Sequence, residues 1–216
     1  FNKQQFDCLA KEHDLSILVP VAWRDYFANR ELIIKHRKNA KNNRLEFVCY
    51  WYTPKVLQSF YGLFMMLSIW LSAKSWINKV NYDCVLGSWA DPDGIAASKL
   101  AKKLGKPYFI KVHGSDINLL TQDIKRKKQI HTLCADAEHV FTPSMALKNK
   151  IEGFGVSADN VTCNYNGVDS SLFYLEAKQA PYFLYVGNLK KDIMNKNGNK
   201  KIIFILNKKN AFIKGV

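Results

Sequence analysis

The ten residues Pro107–Asp116, PYFIKVHGSD, join an apolar strand directly to a polar turn. Residues 108–112 are mostly aromatic or β-branched, which is typical of a buried strand. His113, Gly114, Ser115 and Asp116 follow at once. In open α/β sheets, ligands bind beyond the carboxyl ends of the strands, and a glycine lets a ligand approach the backbone. We therefore predict that this turn lies in a binding site and that His113 is its central residue.

The residues upstream of this stretch predict a strand–helix–strand unit. Residues 82–87 predict a strand, and Asp93 in the turn after it is a candidate helix N-cap. An apolar stripe at helical spacing follows, made by Ala97, Leu100, Ala101 and Leu104. Gly105 predicts a left-handed helix cap before the next strand. The unit favours an α/β fold with a Rossmann-like, doubly wound parallel sheet.

Strands and helices are also predicted along the rest of the chain. Further strands are predicted at 15–21, 46–51, 139–142, 160–164 and 182–186, and helices at 56–80, at 119–135 and after Ser144. Residues 23–44 predict an irregular excursion or a loosely packed helix. Beyond Gly187 the chain is rich in Lys and Asn, and within it residues 202–206 predict a strand without an evident partner.

The chain is basic, with a net charge of +14, and the charge is unevenly distributed. Eight lysines against one aspartate lie in residues 190–216, and a second basic stretch contains Arg30, Lys35, Arg37, Lys38, Lys41 and Arg44. Such patches attract nucleic acid, anionic lipid or phosphorylated substrates, or else form a solvated face.

The cysteines and the apolar segments indicate in which cellular compartment the protein is expected. Five scattered cysteines without a C-x-x-C pair support neither a disulfide framework nor a zinc site, and they favour buried, reduced thiols. No signal-peptide pattern is present, and the longest apolar run, 60–71, is shorter than the ~20 residues that span a bilayer. We expect a cytoplasmic protein, peripheral on the inner face of the plasma membrane.

Several catalytic motifs are absent from the sequence. It contains no P-loop, no G-x-G-x-x-G fingerprint, no G-x-S-x-G elbow and no H-E-x-x-H zinc motif. Residue spacing alone therefore predicts an α/β sheet with a polar pocket near His113 and goes no further.

A series of short motifs in a fixed order resembles the N-terminal domain of GT-B glycosyltransferases of family 4. The series comprises residues 1–5 with 9–10, 82–83, 92–97 (PDGIAA), 112–117 (VHGSDI), 143–148, 166–169 (NGVD) with Phe173, and 185–189 (YVGNL). The pattern is similar to bacterial members that build cell-surface polysaccharides, such as teichuronic-acid-type enzymes.

The resemblance implies two Rossmann-like domains that face each other across a cleft. It implies transfer from a nucleotide-sugar donor to a glycan or lipid-linked acceptor, with retention and with neither metal nor cofactor. His113 matches the family histidine that hydrogen-bonds the donor sugar and positions it. The implied pocket around it contains Gly114, Ser115, Asp116, Trp89, Asp91, Asn166 and Asp169. The implied donor-phosphate contacts are Gly187, Asn188 and Lys214.

The chain also departs from the family pattern. Asn188 replaces a common Arg, and Lys214-Gly215 is displaced by the Lys/Asn-rich segment. We expect residues 1–175 to be the N-terminal domain without its first strand, 176–189 to be the crossover with the first strand of the next domain, and 190–216 to be an irregular tail. The donor-binding glutamates are absent, so the chain alone is expected to bind nucleotide-sugar poorly. We interpret residues 190–216 either as an insertion or as out-of-frame sequence.

Two other function classes stay open at this point. A non-catalytic basic protein or inactive remnant would use the charge for binding, although no nucleic-acid recognition motif is present and no nucleic-acid partner is expected. A GT-B-fold sugar-nucleotide epimerase would share the architecture without this order of motifs.

Overall fold

The computed structural model describes residues 2–39 and 44–167, together with the backbone of two strands at 183–186 and 202–205. The chain divides into two compact units, Phe1–Gly167 and Val168–Val216. The predicted domain boundary at residue 175 lies outside the described residues and stays a prediction.

All pairings between the described strands are parallel. The strands are β1 Ser16–Ala22, β2 Arg44–Tyr50, β3 Val85–Ser88, β4 Tyr108–Lys111, β5 His139–Thr142, β6 Val161–Cys163, β7 Phe183–Val186 and β8 Ile202–Ile205. In the first unit, β3-β4-β5-β6 form one sheet in sequence order, and β1-β2 form a second. The α/β class with parallel sheets is therefore confirmed.

Eight α-helices are described, all of them in the first unit. They are α1 Asn2–Leu9, α2 Trp23–Ala28, α3 Arg30–Asn39, α4 Tyr61–Ile77, α5 Ile95–Leu104, α6 Ser115–Asn118, α7 Ile124–Ala135 and α8 Met145–Glu152. The predicted caps at two helix ends are confirmed: Gly105 has φ 65°, and the Ser144 hydroxyl accepts from the Leu147 N–H. Both caps depend on local chemistry, which explains why the sequence shows them.

The first unit contains two apolar cores. The larger one surrounds the interior strand β4, where Tyr108 and Ile110, with Val112 directly after the strand, are buried in one cluster with apolar residues of α7, β5 and α8. The second packs one face of α4 against Val48 of β2 and against α5. There Gly62 lies so close to α5 that an added Cβ would be 2.6 Å from the Ile95 Cβ. The two cores hold the strands that end at the candidate site.

Several sequence predictions need correction. Asp93 does not cap α5: the cap position is Gly94, no side chain caps this helix, and Asp93 lies within a wide turn, Ala90–Gly94. The predicted helix 119–135 begins at Ile124, because the Asp123 carboxylate accepts from the Arg126 N–H and starts a new helix there. The basic excursion 23–44 contains two helices, α2 and α3.

The burial of β1 also differs from expectation. All seven of its residues are half-buried, although the sequence predicts a fully buried strand. The reason is that β1 pairs only with β2 among the described strands, so one of its edges has no sheet neighbour there.

The second unit is described only as two paired strands. β7 and β8 pair in parallel, with Phe183 opposite Ile202. This pairing supplies the partner that the sequence alone did not indicate for residues 202–206. The expectation of an irregular tail at 190–216 stays a prediction, since β8 is the only part of that segment that the structure describes.

The cysteines are all free, but they are not uniformly buried as expected. Cys134 is buried, Cys49 and Cys163 are half-buried, and Cys8 and Cys84 are exposed. Within the described residues, one helical segment, Gln58–Ile77, is long and apolar enough to cross a membrane, and a third of it is buried in the protein. Core helices of soluble proteins meet the same criterion.

Candidate functional site

The predicted site residue His113 lies just beyond the carboxyl end of β4, beside the end of β3. Its Nε2 atom is 2.8 Å from the Ser88 Oγ, and its ring stacks on the Trp89 indole with a centroid separation of 5.6 Å. Trp89 has a positive φ of 87°, which is unusual for a residue other than glycine and holds the indole beside His113. The imidazole is therefore fixed by one hydrogen bond and one stacked ring.

The Asp116 carboxylate fixes the backbone around His113. Asp116 is fully buried and accepts from the backbone N–H groups of His113, Gly114 and Ile117, the shortest distance being 2.7 Å to Gly114 N. It also accepts from Ala90 N at 3.0 Å, in the turn after β3. One carboxylate thus joins the turns that follow two neighbouring strands. Gly114 has φ 123°, a conformation that favours glycine.

The protonation state of His113 follows from its surroundings. Burial lowers its pKa below the ordinary value, the Asp116 carboxylate opposes this effect, and the Lys111 ammonium adds to it. The imidazole is therefore neutral at neutral pH, with one ring nitrogen as donor and the other as acceptor. A neutral imidazole suits hydrogen bonding to a hydroxyl rather than charge pairing with a phosphate.

Asp91 forms an ion pair beneath this turn. Its Oδ2 accepts from the Arg126 Nε of α7 at 2.6 Å, and the residue is 1% exposed. Burial raises the pKa of Asp91, and Arg126 opposes that rise. Its second oxygen, Oδ1, has no hydrogen-bond partner among the described atoms. The pair anchors the 90–94 turn to α7.

Asp93 is a second acid in the same turn. Burial raises its pKa to about 6, and the neighbouring Asp91 and Asp116 carboxylates contribute. Asp93 in turn helps to raise the pKa of Tyr50, at the end of β2, to about 12, where burial is the main cause. Both β2 and the 90–94 turn pack against α4, so this helix connects the carboxyl ends of β2 and β3.

An aromatic group lies at the carboxyl ends of β1 and β2. Trp23 follows β1, Trp51 follows β2, and their rings stack 5.5 Å apart at an interplanar angle of 14°. The ring of Phe27 in α2 lies beside the Trp51 ring, with a centroid separation of 6.3 Å. Phe27 is 58% exposed and Trp51 is 57% exposed, so this group faces solvent.

The structure places the predicted site residues in three groups. Trp89 stacks on His113, the Asp116 carboxylate accepts from the backbone of His113 and Gly114, and Ser115 is exposed at the start of α6. Asp91 is buried against Arg126, and Asn166 is exposed beyond β6. Asp169, Gly187, Asn188 and Lys214 lie outside the described residues.

Four residues that contribute here were not predicted from the sequence. Ser88 and Arg126 contact predicted residues, and Trp23 and Trp51 lie at strand ends. The rule that singled out His113, a chemically distinctive residue directly after a strand, applies equally to Trp23, Trp51 and Ser88. Arg126 carries no such signal, because its partner is 35 residues away in the sequence.

Comparisons with known proteins agree with this architecture. The family model described as Glycosyltransferase Family 4 matches residues 8–172. An uncharacterized glycosyltransferase of Methanocaldococcus jannaschii is 24% identical over 131 residues, which cover 61% of this chain and 36% of that protein.

Two solved structures are also similar, at levels that carry no argument about function. Arabidopsis thaliana UGT89C1, solved with UDP-L-rhamnose, has a TM-score of 0.49 and 11% identity, covering 93% of this chain and 59% of that one. A UDP-N-acetylglucosamine 2-epimerase has a TM-score of 0.39 and 11% identity, covering 70% of this chain and 48% of that one.

The parallel α/β architecture, with its polar turns at the strand ends, is that of a Rossmann-like half of a GT-B fold. Because the family model matches well over half of its length, the chain belongs to Glycosyltransferase Family 4. The resemblance to the N-terminal domain of family 4 glycosyltransferases is therefore confirmed. The chain spans about a third of the length of its archaeal relative.

Replacing Asp116 by Asn is expected to destabilise the fold by about 3 kcal/mol. The amide keeps one acceptor oxygen but directs an NH₂ group at backbone N–H donors, and hydrogen bonds to a charged group contribute about 1.5–3 kcal/mol each. Urea denaturation measures the change in the free energy of unfolding. The matched control is Asp136→Asn, which removes an exposed ion pair with Lys102 and should cost about 1 kcal/mol or less. Equal effects in the two variants would contradict the role assigned to Asp116.

Replacing Asp93 by Asn is expected to alter the pH dependence of stability. Between about pH 4 and 6 the folded Asp93 keeps a proton that the unfolded chain has lost, so raising the pH lowers the free energy of unfolding in this window. The variant should lack this decline and be more stable than the wild type at pH 7, by on the order of 2 kcal/mol. Urea titrations at pH 4, 5, 6 and 7 test this, and parallel curves for the two proteins would refute it.

Proposed function

We propose that the protein carrying this chain is a glycosyltransferase that moves a sugar from a nucleotide-sugar to a cell-envelope glycan or a lipid-linked acceptor. Membership in the family supports the reaction class. The single observation that carries the proposal within the structure is the immobilised, neutral His113 at the carboxyl end of β4.

His113 acts in this proposal by positioning. Its neutral ring donates a hydrogen bond to, or accepts one from, a hydroxyl of the donor sugar, while Ser88, Trp89 and Asp116 keep the ring from turning away. Holding the reacting sugar in one orientation removes part of the entropic barrier to transfer. No proton transfer by His113 is needed for this role. Retention at the anomeric carbon and independence of metal belong to the proposal, as do donor-phosphate contacts from Gly187, Asn188 and Lys214.

The outer face of α4 supports a membrane-bound acceptor. The inner face, formed by Gly62, Met65, Ile69, Ala73 and Ile77, is buried. On the opposite side Phe60, Phe64, Leu67 and Leu71 recur at helical spacing, and Leu71 is 82% exposed. An apolar stripe facing water on a charged protein is typical of a helix that lies in a membrane interface.

Basic groups accompany this stripe. The Lys74 and Lys103 ammonium groups lie 5.4 and 4.4 Å from the centroid of the Trp70 ring. Elsewhere in the same unit, helix α3 carries further exposed basic side chains, those of Arg30, Lys35 and Lys38. Because the cytoplasmic leaflet is anionic, we propose that the protein is peripheral on that face, where a lipid-linked acceptor is presented.

Replacing His113 by Ala in the full-length protein is expected to lower turnover by about 10- to 100-fold, since one hydrogen bond that tightens in the transition state is lost. The assay measures nucleotide release from a panel of nucleotide-sugars in the presence of membrane glycolipid extract. His13→Ala, which alters an exposed histidine after α1, is the control and should leave turnover unchanged. Wild-type turnover in His113→Ala, with the melting temperature retained, would remove His113 from the site.

Replacing Leu71 by Ser is expected to weaken binding to vesicles of phosphatidylcholine and phosphatidylglycerol by about tenfold, because a side chain that would enter the interface loses its apolar surface. Co-sedimentation measures the bound fraction. Ile124→Ser on α7 is the matched control, since Ile124 is 85% exposed but lies off the α4 stripe. Binding that is independent of the phosphatidylglycerol content, or equal losses in both variants, would contradict peripheral attachment through α4.

A further inference from the structure

The exposed aromatic group at the ends of β1 and β2 has no role in the site built around His113. Trp51 and Phe27 are each more than half exposed, although burying such rings is strongly favourable. Monomeric proteins seldom expose neighbouring aromatic rings without a binding role.

The rings are held rigidly by their neighbours. Trp23 covers one face of Trp51 at 5.5 Å, and the Arg24 guanidinium lies 5.0 Å from the centroid of the Trp23 ring. The Trp51 backbone N–H donates to the Ser68 Oγ of α4 at 3.2 Å. The register of β1 and β2 pairs Ala22 with Tyr50, so Trp23 and Trp51 are the next residues on each strand. Rigid aromatic surfaces lose little entropy on binding a ligand.

The surroundings of the rings are polar. Arg24 and Asp25 are both exposed and follow Trp23 directly in the chain. They provide a guanidinium that donates hydrogen bonds and a carboxylate that accepts them beside the aromatic group. A sugar ring has the matching chemistry, because its C–H face is apolar and its rim carries hydroxyls that both donate and accept. A lipid chain would contact the rings only, and an anionic headgroup would be repelled by the Asp25 carboxylate.

The position of the group agrees with this chemistry. Helix α4 accepts the Trp51 N–H at Ser68 and also packs against the 90–94 turn after β3, next to the Trp89 that stacks on His113. The aromatic group and His113 therefore belong to adjoining strand ends, where ligands of α/β sheets bind.

We propose that Trp51 and Phe27, supported by Trp23 and flanked by Arg24 and Asp25, bind a sugar ring of the acceptor. This inference rests on the proposed glycosyltransferase function. It adds that the acceptor itself contains a carbohydrate unit, distinct from the sugar that is transferred. An acceptor whose only polar group was a lipid phosphate would not use this surface.

The test measures sugar binding separately from catalysis. The probes are neutral tri- and tetrasaccharides of glucose, galactose, N-acetylglucosamine and rhamnose, followed by saturation-transfer NMR and by tryptophan fluorescence on the full-length protein. Wild type is expected to bind at least one probe. Trp51→Ala should weaken that binding by about five- to tenfold, and Trp51→Phe, which keeps a ring, by about twofold or less. Ile124→Ala controls for loss of an exposed apolar residue.

The outcomes separate this inference from the proposed function. If no probe binds, or if Trp51→Ala binds the probes as well as wild type, the sugar-binding surface is refuted even where nucleotide-sugar turnover is present. If Trp51→Ala loses vesicle binding and keeps sugar binding, the surface is a membrane contact and the inference is wrong. If the protein turns over no nucleotide-sugar but Trp51 still governs sugar binding, the surface stands and the transferase function fails.

Discussion

One buried carboxylate determines the geometry of the candidate site. Asp116 accepts from four backbone N–H groups in two turns, after β3 and after β4, and it is fully buried. Removing a charge from water is costly unless its lone pairs are satisfied, and here the two turns supply the donors. In return, the carboxylate gives these backbone N–H groups an acceptor, and without it they would be unpaired. The positions of Trp89 and His113 therefore depend on an interaction that touches neither side chain.

Helix α4 shows how one element serves two environments. Its inner face is held close to α5 by Gly62, where any larger residue would collide with Ile95. On the far side Phe60, Leu67 and Leu71 are exposed, while Phe64 is half-buried. The helix as a whole is apolar, so sequence hydropathy alone does not distinguish a spanning helix from a core helix. The pattern of burial does distinguish the two faces, because one is packed and the other is not.

The sequence predicts those features of this protein that depend on local chemistry. The strand at Tyr108–Lys111, the left-handed cap at Gly105 and the hydroxyl cap at Ser144 follow from a few neighbouring residues. The position of His113 at a strand end follows from the same local pattern. By contrast, the Asp91–Arg126 pair, the burial of Asp116 and the pairing of β8 with β7 join distant segments. Asp93 illustrates the limit: its type and position suit an N-cap, but the 90–94 turn places Gly94 at the start of α5.

The two proposals about the acceptor constrain each other. A protein that only approached anionic lipid would need the α4 stripe and the basic helix α3, but an exposed carboxylate such as that of Asp25 beside the tryptophans would repel such lipid. Conversely, a protein acting on a free sugar would need the aromatic surface, but it would not gain from an apolar stripe facing water. Trp51 is hydrogen-bonded through its backbone to Ser68 of α4, so both features are carried on connected elements. Their presence in one unit favours an acceptor that has both a lipid part and a sugar part.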